Sequence, residues 1–249
     1  MPELGSGCRV IEPEEGHVSQ EGTRRRRRTV GAAIAARDIE QSVSQFDQGL
    51  SPCQVNPSSE EVHYVSAGSG ACYIDGHRYD IEVGSSIYVG PGAECCFETS
   101  GGDLEVVSVC CPQIADSQFD LPPRTTPDAS IDRSDVVVHE RDRKSIPTGD
   151  RWFKLLADKD LGCQRVTQFI GFIPKSEAPE HYHTYEEAIY IVEGRGVMWA
   201  DGKEASVAAG SCIYLPRQVK HSVKNFDDAP IRLMGVFHPS GSPAVRYDD

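Results

Sequence analysis

From Glu180 to Gly196 the chain reads EHYHTYEEAIYIVEGRG, and from Gly210 to His221 it reads GSCIYLPRQVKH. His181 and His183 stand two positions apart, so on an extended strand, where alternate side chains share a face, both imidazoles project the same way. Glu187 keeps that parity if the extension continues; Glu186 does not. His221 follows the turn-forming residues Gly210 and Pro216, and a strand there brings a third imidazole opposite the first pair. Three neutral imidazoles and one carboxylate fill four positions of an octahedral divalent ion, leaving two adjacent positions open for water, substrate or dioxygen.

Working outward, this stretch is the second copy of a repeat. Shifting the chain against itself by 126 positions aligns residues 186–214 with residues 60–88 without a gap, and 11 of the 29 pairs are identical. Gly194, Gly196, Asp201, Gly202 and Gly210 fall on Gly68, Gly70, Asp75, Gly76 and Gly84, so turn positions are what mainly repeat. An Asp-Gly pair between apolar runs is a strong two-residue hairpin signal. A duplicated antiparallel β unit accounts for the pattern. Under the same shift His181, His183 and His221 fall on Val55, Pro57 and Cys95, and only Glu187 keeps its partner, Glu61. Val and Pro cannot ligate, so the first copy is expected to have lost its site and to serve as a structural partner or pocket wall.

The intervals His-x-His, three residues, Glu, six residues, Gly at His181, His183, Glu187 and Gly194 resemble the first cupin motif. Gly210, Pro216, His221 and Asn225 are similar to the second, with Gln218 standing where that family usually has glycine. With the repeat, the chain resembles a bicupin over roughly residues 45–245. The resemblance implies an all-β fold of two tandem cupin jelly-roll β-barrels. It also implies one divalent transition metal (Fe, Mn, Ni, Cu or Zn) on His181, His183, Glu187 and His221, and a small-molecule substrate. Glu187 is the catalytic candidate, as a ligand or as a group that swings off to take a substrate proton. The reaction implied first is that of a dioxygenase of the quercetinase type. Non-redox metal chemistry (an aminohydrolase, decarboxylase or isomerase) is the alternative, with non-catalytic binding or storage behind it. Gln168, on the alternating face of Val166, Ile170 and Phe172, is a candidate for bonding substrate or metal-bound water. Asn225 shares parity with His221 and is read as a weaker candidate near the substrate, or as a turn former.

The remaining composition bounds the setting. Of 249 residues 25 are basic and 38 acidic, a net charge of −13. A body that acidic repels phosphate backbones, which argues against nucleic acid. No apolar run approaches a membrane span, and the beginning of the chain has no apolar stretch of signal-peptide type, so a cytoplasmic location is expected, with a homodimer as one compatible assembly. Nine cysteines, an odd number without a C-x-x-C pair, read as reduced and buried. Residues 1–30, polar and carrying the run Arg24 to Arg28, read as a disordered tail. Residues 31–130 are then the degenerate first barrel and 131–249 the metal-binding second.

Overall fold

The structure, a computed structural model, describes residues 3–114, 118–126, 136–177 and 180–243. The first half carries β1 (Arg9–Ile11), β2 (His17–Glu21), β3 (Arg24–Val30), β4 (Glu40–Phe46), β5 (Gly49–Leu50), β6 (Cys53–Val55) and β7 (Glu60–Ala67). It continues with β8 (Ser69–Ile74), β9 (His77–Glu82), β10 (Ser85–Val89), β11 (Glu94–Thr99), β12 (Leu104–Cys111) and β13 (Gln118–Leu121). The second half carries β14 (Val137–His139), β15 (Ile146–Thr148), β16 (Arg151–Ala157), β17 (Thr167–Ile173) and β18 (Glu186–Glu193). Then come β19 (Arg195–Ala200), β20 (Lys203–Ala208), β21 (Cys212–Leu215), β22 (His221–Lys224) and β23 (Ile231–His238). Among the described residues, helix is confined to short 3-10 turns, and no helix is long and apolar enough to cross a membrane.

The two halves fold alike, as the repeat predicts. One seven-stranded sheet runs β14-β10-β7-β12-β4-β3-β2 and its counterpart runs β1-β21-β18-β23-β17-β16-β15. Each is backed by a smaller sheet, β13-β6-β11-β8-β9 in the first barrel and β20-β19-β22 in the second. The repeated Asp-Gly pairs close the β8–β9 and β19–β20 hairpins. Asp75 and Gly76 have φ of 48° and 81°, Asp201 and Gly202 of 47° and 82°. Positive φ at both central residues is what a tight hairpin turn demands.

Period-two alternation sends each strand of the large sheets into two different cores. On β18, Ile189 and Ile191 enter the second barrel with Phe153, Phe169 and Phe237, while Ala188 and Tyr190 face the other barrel. There they join Tyr64, Val107, Val109, Met234 and Val236 in a layer drawn from both halves. Strands buried on both faces read as continuous apolar runs, the character of residues 188–192.

Two boundary expectations are corrected. Residues 9–11, 17–21 and 24–30 are strands: β1 adds to the edge of β21 in the second barrel, whereas β2 and β3 extend the first sheet. The arginine run does not repel itself into solution, because alternation splits it between faces. Arg24 and Arg26 turn inward onto Glu21 at 2.8 and 3.0 Å, and Arg25 and Arg27 turn out. The boundary near 130 also shifts, because β14 pairs with β10 of the first barrel. Each barrel thus borrows a strand from the other half of the sequence.

Candidate metal centre

β22 and the segment before β18 meet through a two-way backbone bridge. The His181 amide donates to the His221 carbonyl at 3.1 Å, and the reverse bond is 2.8 Å. The Gln218 amide donates to the His183 carbonyl at 2.7 Å. These bonds bring together three side chains that lie 40 positions apart in sequence at the extremes. The ring centroids are 4.8 Å apart for His181–His183, 4.5 Å for His181–His221 and 5.1 Å for His183–His221. Their ligand nitrogens all lie within 4.8 Å of one another, a spacing that could hold a metal ion.

Local packing fixes the rings. The His221 Nδ1–H donates to the Val219 carbonyl at 2.9 Å, so its Nε2 is the nitrogen with a lone pair to offer. His183 stacks on Tyr185 at 4.4 Å, and Tyr185 stacks on Phe237 at 4.1 Å. Burial, with His181 as a neighbouring charge, pushes His221 down to about 3, so it stays neutral and able to ligate at any ordinary pH.

Glu187 lines the same cavity, of about 120 Å³, with the three histidines. Its carboxyl is buried and desolvation pushes it up to about 8. A divalent ion beside it would reverse that preference and hold the carboxylate ionised. Gly235 on β23 makes room for this arrangement: a β-carbon there would lie 2.4 Å from Phe169 and 3.0 Å from Glu187 Oε1. Three imidazoles, a carboxyl and an aromatic wall are a donor set suited to one first-row divalent ion.

The two weaker candidates lie elsewhere. Gln168 is buried, but its Oε1 accepts from Ser86 of the first barrel and its Nε2 donates to Met234 Sδ at 3.7 Å. The face shared by Val166, Gln168 and Ile170 is inward to the molecule but turns toward the layer between barrels, while Phe169 and Gly171 line the cavity. Asn225 Nδ2 donates to the Ile173 and Ala229 carbonyls at 3.0 and 2.8 Å, and its Oδ1 accepts from the Asp227 amide. It ties the turn before β23. Arg151, Phe153 and Phe169 were not singled out by sequence motifs, yet they line the cavity. The signal available for the first two was shared parity on β16.

In the first barrel the corresponding interior is closed. Glu61 accepts from Asn56 and Gln54, and Gln54 in turn accepts from Arg24 at 2.9 Å. His63 Nδ1 meets Ser108 at 2.8 Å, and Cys95 Sγ sits 3.6 Å from Cys72 Sγ with its thiol held well above the ordinary range by that contact and by burial. Among the described residues the group with metal-ligand spacing is the histidine trio of the second barrel.

Two jelly-roll barrels with exchanged strands, one holding three convergent imidazoles, define a double-barrel fold with one candidate metal centre. A family profile described as the cupin domain matches residues 168–237, which lie within the second barrel. An oxalate decarboxylase of Lactobacillus farciminis, solved as a formate complex, superposes with a TM-score of 0.76 over 92% of this chain and 85% of that one. At 14% identity this is a likeness of fold alone. An uncharacterised protein of Methanocaldococcus jannaschii is 37% identical over 60 residues, 24% of this chain and 47% of that protein. The polyketide synthase CurC of Streptomyces cyaneus is 37% identical over 68 residues, 27% of this chain and 43% of that protein. The matched stretches thus span about half the length of these curated relatives or less.

Proposed function

We propose that the second barrel is a metal-dependent enzyme site acting on a small oxygen-bearing organic substrate, with Glu187 as its proton-transfer group. The observation that carries this reading is the buried Glu187 carboxyl sharing one aromatic-walled cavity with His181, His183 and His221. A bound divalent ion would supply Lewis acidity, drawing charge onto a substrate oxygen. The three imidazoles would hold the ion, with Glu187 as a fourth ligand or as the base. Released toward the substrate, Glu187 takes a proton from a hydroxyl or from a carbon next to a carbonyl, and the aromatic wall keeps bulk water from competing.

That proton transfer is common to the two reactions expected from sequence. Followed by reaction with dioxygen it gives a dioxygenase of the quercetinase type; without dioxygen it gives a decarboxylation, isomerisation or related non-redox step. The setting we propose is cytoplasmic, with a homodimer as the assembly to look for. The test is metal analysis of untagged protein, followed by turnover of hydroxy-aromatic, keto-acid and ureido compounds under air and under nitrogen. Wild type is expected to carry about one metal per chain and His221→Ala much less. Glu187→Gln is expected to keep the metal and lose roughly 100- to 10,000-fold in turnover. Equal metal in wild type and His221→Ala refutes the site. Oxygen uptake matched to product separates the two reactions.

A further inference from the structure

The substrate class is written in the cavity that the imidazoles line. Among the described residues lining it, Arg151 is the sole lysine or arginine and Glu187 the sole acid; much of the remainder is aromatic or aliphatic, including Phe153, Phe169 and Ile189. Arg151 is the first residue of β16 and shares its face with Phe153, so strand parity points both side chains into the second barrel. Its Nη2 donates to the Val223 carbonyl at 2.7 Å. Val223 lies on β22 two residues after His221, on the same face as that candidate ligand. The guanidinium is therefore fixed in the gap between the large and small sheets, beside the strand that presents an imidazole. Its neighbour Asp150 stands 3.9 Å from Nε and is mostly exposed, so solvent screens that pairing.

We infer that Arg151 anchors a carboxylate, so that this site takes a small planar acid bearing a separate metal-binding oxygen. The inference rests on the metal-dependent reading above and names its substrate. With three neutral imidazoles, an ionised Glu187 and a divalent ion, the cavity would be net positive even before Arg151 is counted, inside a protein of net charge −13. Such a focus, walled by apolar groups, concentrates anions that the acidic exterior repels. An Arg is suited to a carboxylate because its planar fork matches the two oxygens. The flat aromatic walls accommodate a conjugated body between the two polar ends.

The test is calorimetric binding of 3,4-dihydroxybenzoate and its neutral isostere 3,4-dihydroxybenzamide to the metal-loaded chain. The catechol oxygens supply the metal-binding head and the carboxylate the group for Arg151. Wild type is expected to bind the acid at least about tenfold tighter than the amide, the scale of one hydrogen-bonded charge pair. In Arg151→Met that preference falls to near unity, and in Arg151→Lys it survives at about a third or less, since a point charge replaces a two-pronged donor. An undiminished preference in Arg151→Met overturns the inference, as does failure of wild type to bind the acid at millimolar concentration. If Arg151→Met does not fold, an unchanged preference in Arg151→Lys overturns it instead. Repeating the titration after chelation separates the two levels. Binding that needs metal but treats acid and amide alike refutes Arg151 and leaves the metal site standing. An acid preference that survives chelation while both affinities fall upholds Arg151 and the metal-binding head together; if neither affinity falls on chelation, Arg151 stands and the metal-bound mode of the substrate is refuted.

Discussion

Glu61 and Glu187 occupy the same position of the repeat and meet opposite company. Glu187 shares its cavity with three imidazoles; Glu61 receives two amide donors, with Arg24 one residue further along the chain of bonds. A carboxyl at a fixed place in a barrel thus lines a cavity with three imidazoles in one copy and is part of a closed polar core in the other. Gln218 shows the reverse case, a position whose backbone outlasts its residue. Its φ is 65°, the left-handed region where a side chain costs about 1–2 kcal/mol, which explains why glycine is usual there. Gln218→Gly is expected to raise stability by about 0.5–1 kcal/mol after the added freedom of the unfolded glycine is subtracted. Urea unfolding measures it, and a lower midpoint for the glycine variant would contradict the strain argument. The amide bond to the His183 carbonyl is retained either way, so metal content should not move.

At the scale of elements, the barrels are joined by paired carboxylates as well as by exchanged strands. Glu186 at the start of β18 accepts from the amides of Arg37, Asp38 and Ile39 at 2.7, 2.8 and 3.3 Å, and from the Tyr214 hydroxyl. Glu60 at the start of β7 accepts from the Gln164 and Arg165 amides at 2.8 and 2.9 Å. Each carboxylate therefore caps a loop of the opposite barrel, related by the internal repeat. Removing one takes the acceptor from these part-buried amide donors, and from the buried one of Ile39, at about 1 kcal/mol apiece. Glu186→Ala is expected to cost about 3 kcal/mol and Glu60→Ala about 2 kcal/mol in urea unfolding. A loss under about 1 kcal/mol for Glu186→Ala would mean these bonds do not tie the barrels. The identity of Glu60 and Glu186 was visible in the aligned repeat, yet nothing in one dimension distinguishes a clamp from a ligand.

For the whole molecule, four buried groups set how metal-free stability depends on pH. Burial pushes Glu61 up to about 7 and Glu187 up to about 8 from an ordinary value of 4.5. The stability they lend is therefore full below 4.5 and lost as pH rises through 7 and 8. Burial pushes His63 and His221 down to about 3 from 6.5, so theirs is full above 6.5 and lost as pH falls toward 3. Between 4.5 and 6.5 the two carboxyls and two imidazoles offset each other. The chelated protein is expected to show a stability plateau there and to fall on both sides, by about 3 kcal/mol from pH 6.5 to 8. Urea midpoints across pH 4–8 check it; a steady rise up to pH 8 would show that the carboxyls are ionised in the fold. Adding a divalent ion should lift the alkaline side, because Glu187 then has a cation to face.

The sequence by itself determined the duplication, the β class, the Asp-Gly hairpins and the three histidines, because these are local: parity along a strand and positive φ in a turn are fixed by neighbouring residues. Tertiary structure alone decided where the two-faced strands turn each side. It sent Gln168 to the layer between barrels and Phe169 to the cavity, although either face of β17 is buried and alternation cannot say against what. It also turned Arg24 and Arg26 of the arginine run into the first barrel, since a charge run is solvated unless a carboxylate such as Glu21 on the facing strand, or a remote polar partner such as Gln54, awaits it. The exchange of β1 and β14 between barrels was equally hidden, because strand pairing is a contact between remote segments. Arg151 belongs to the same class: its charge was plain in the sequence, and its place beside the imidazoles exists only once β16 and β22 close the barrel.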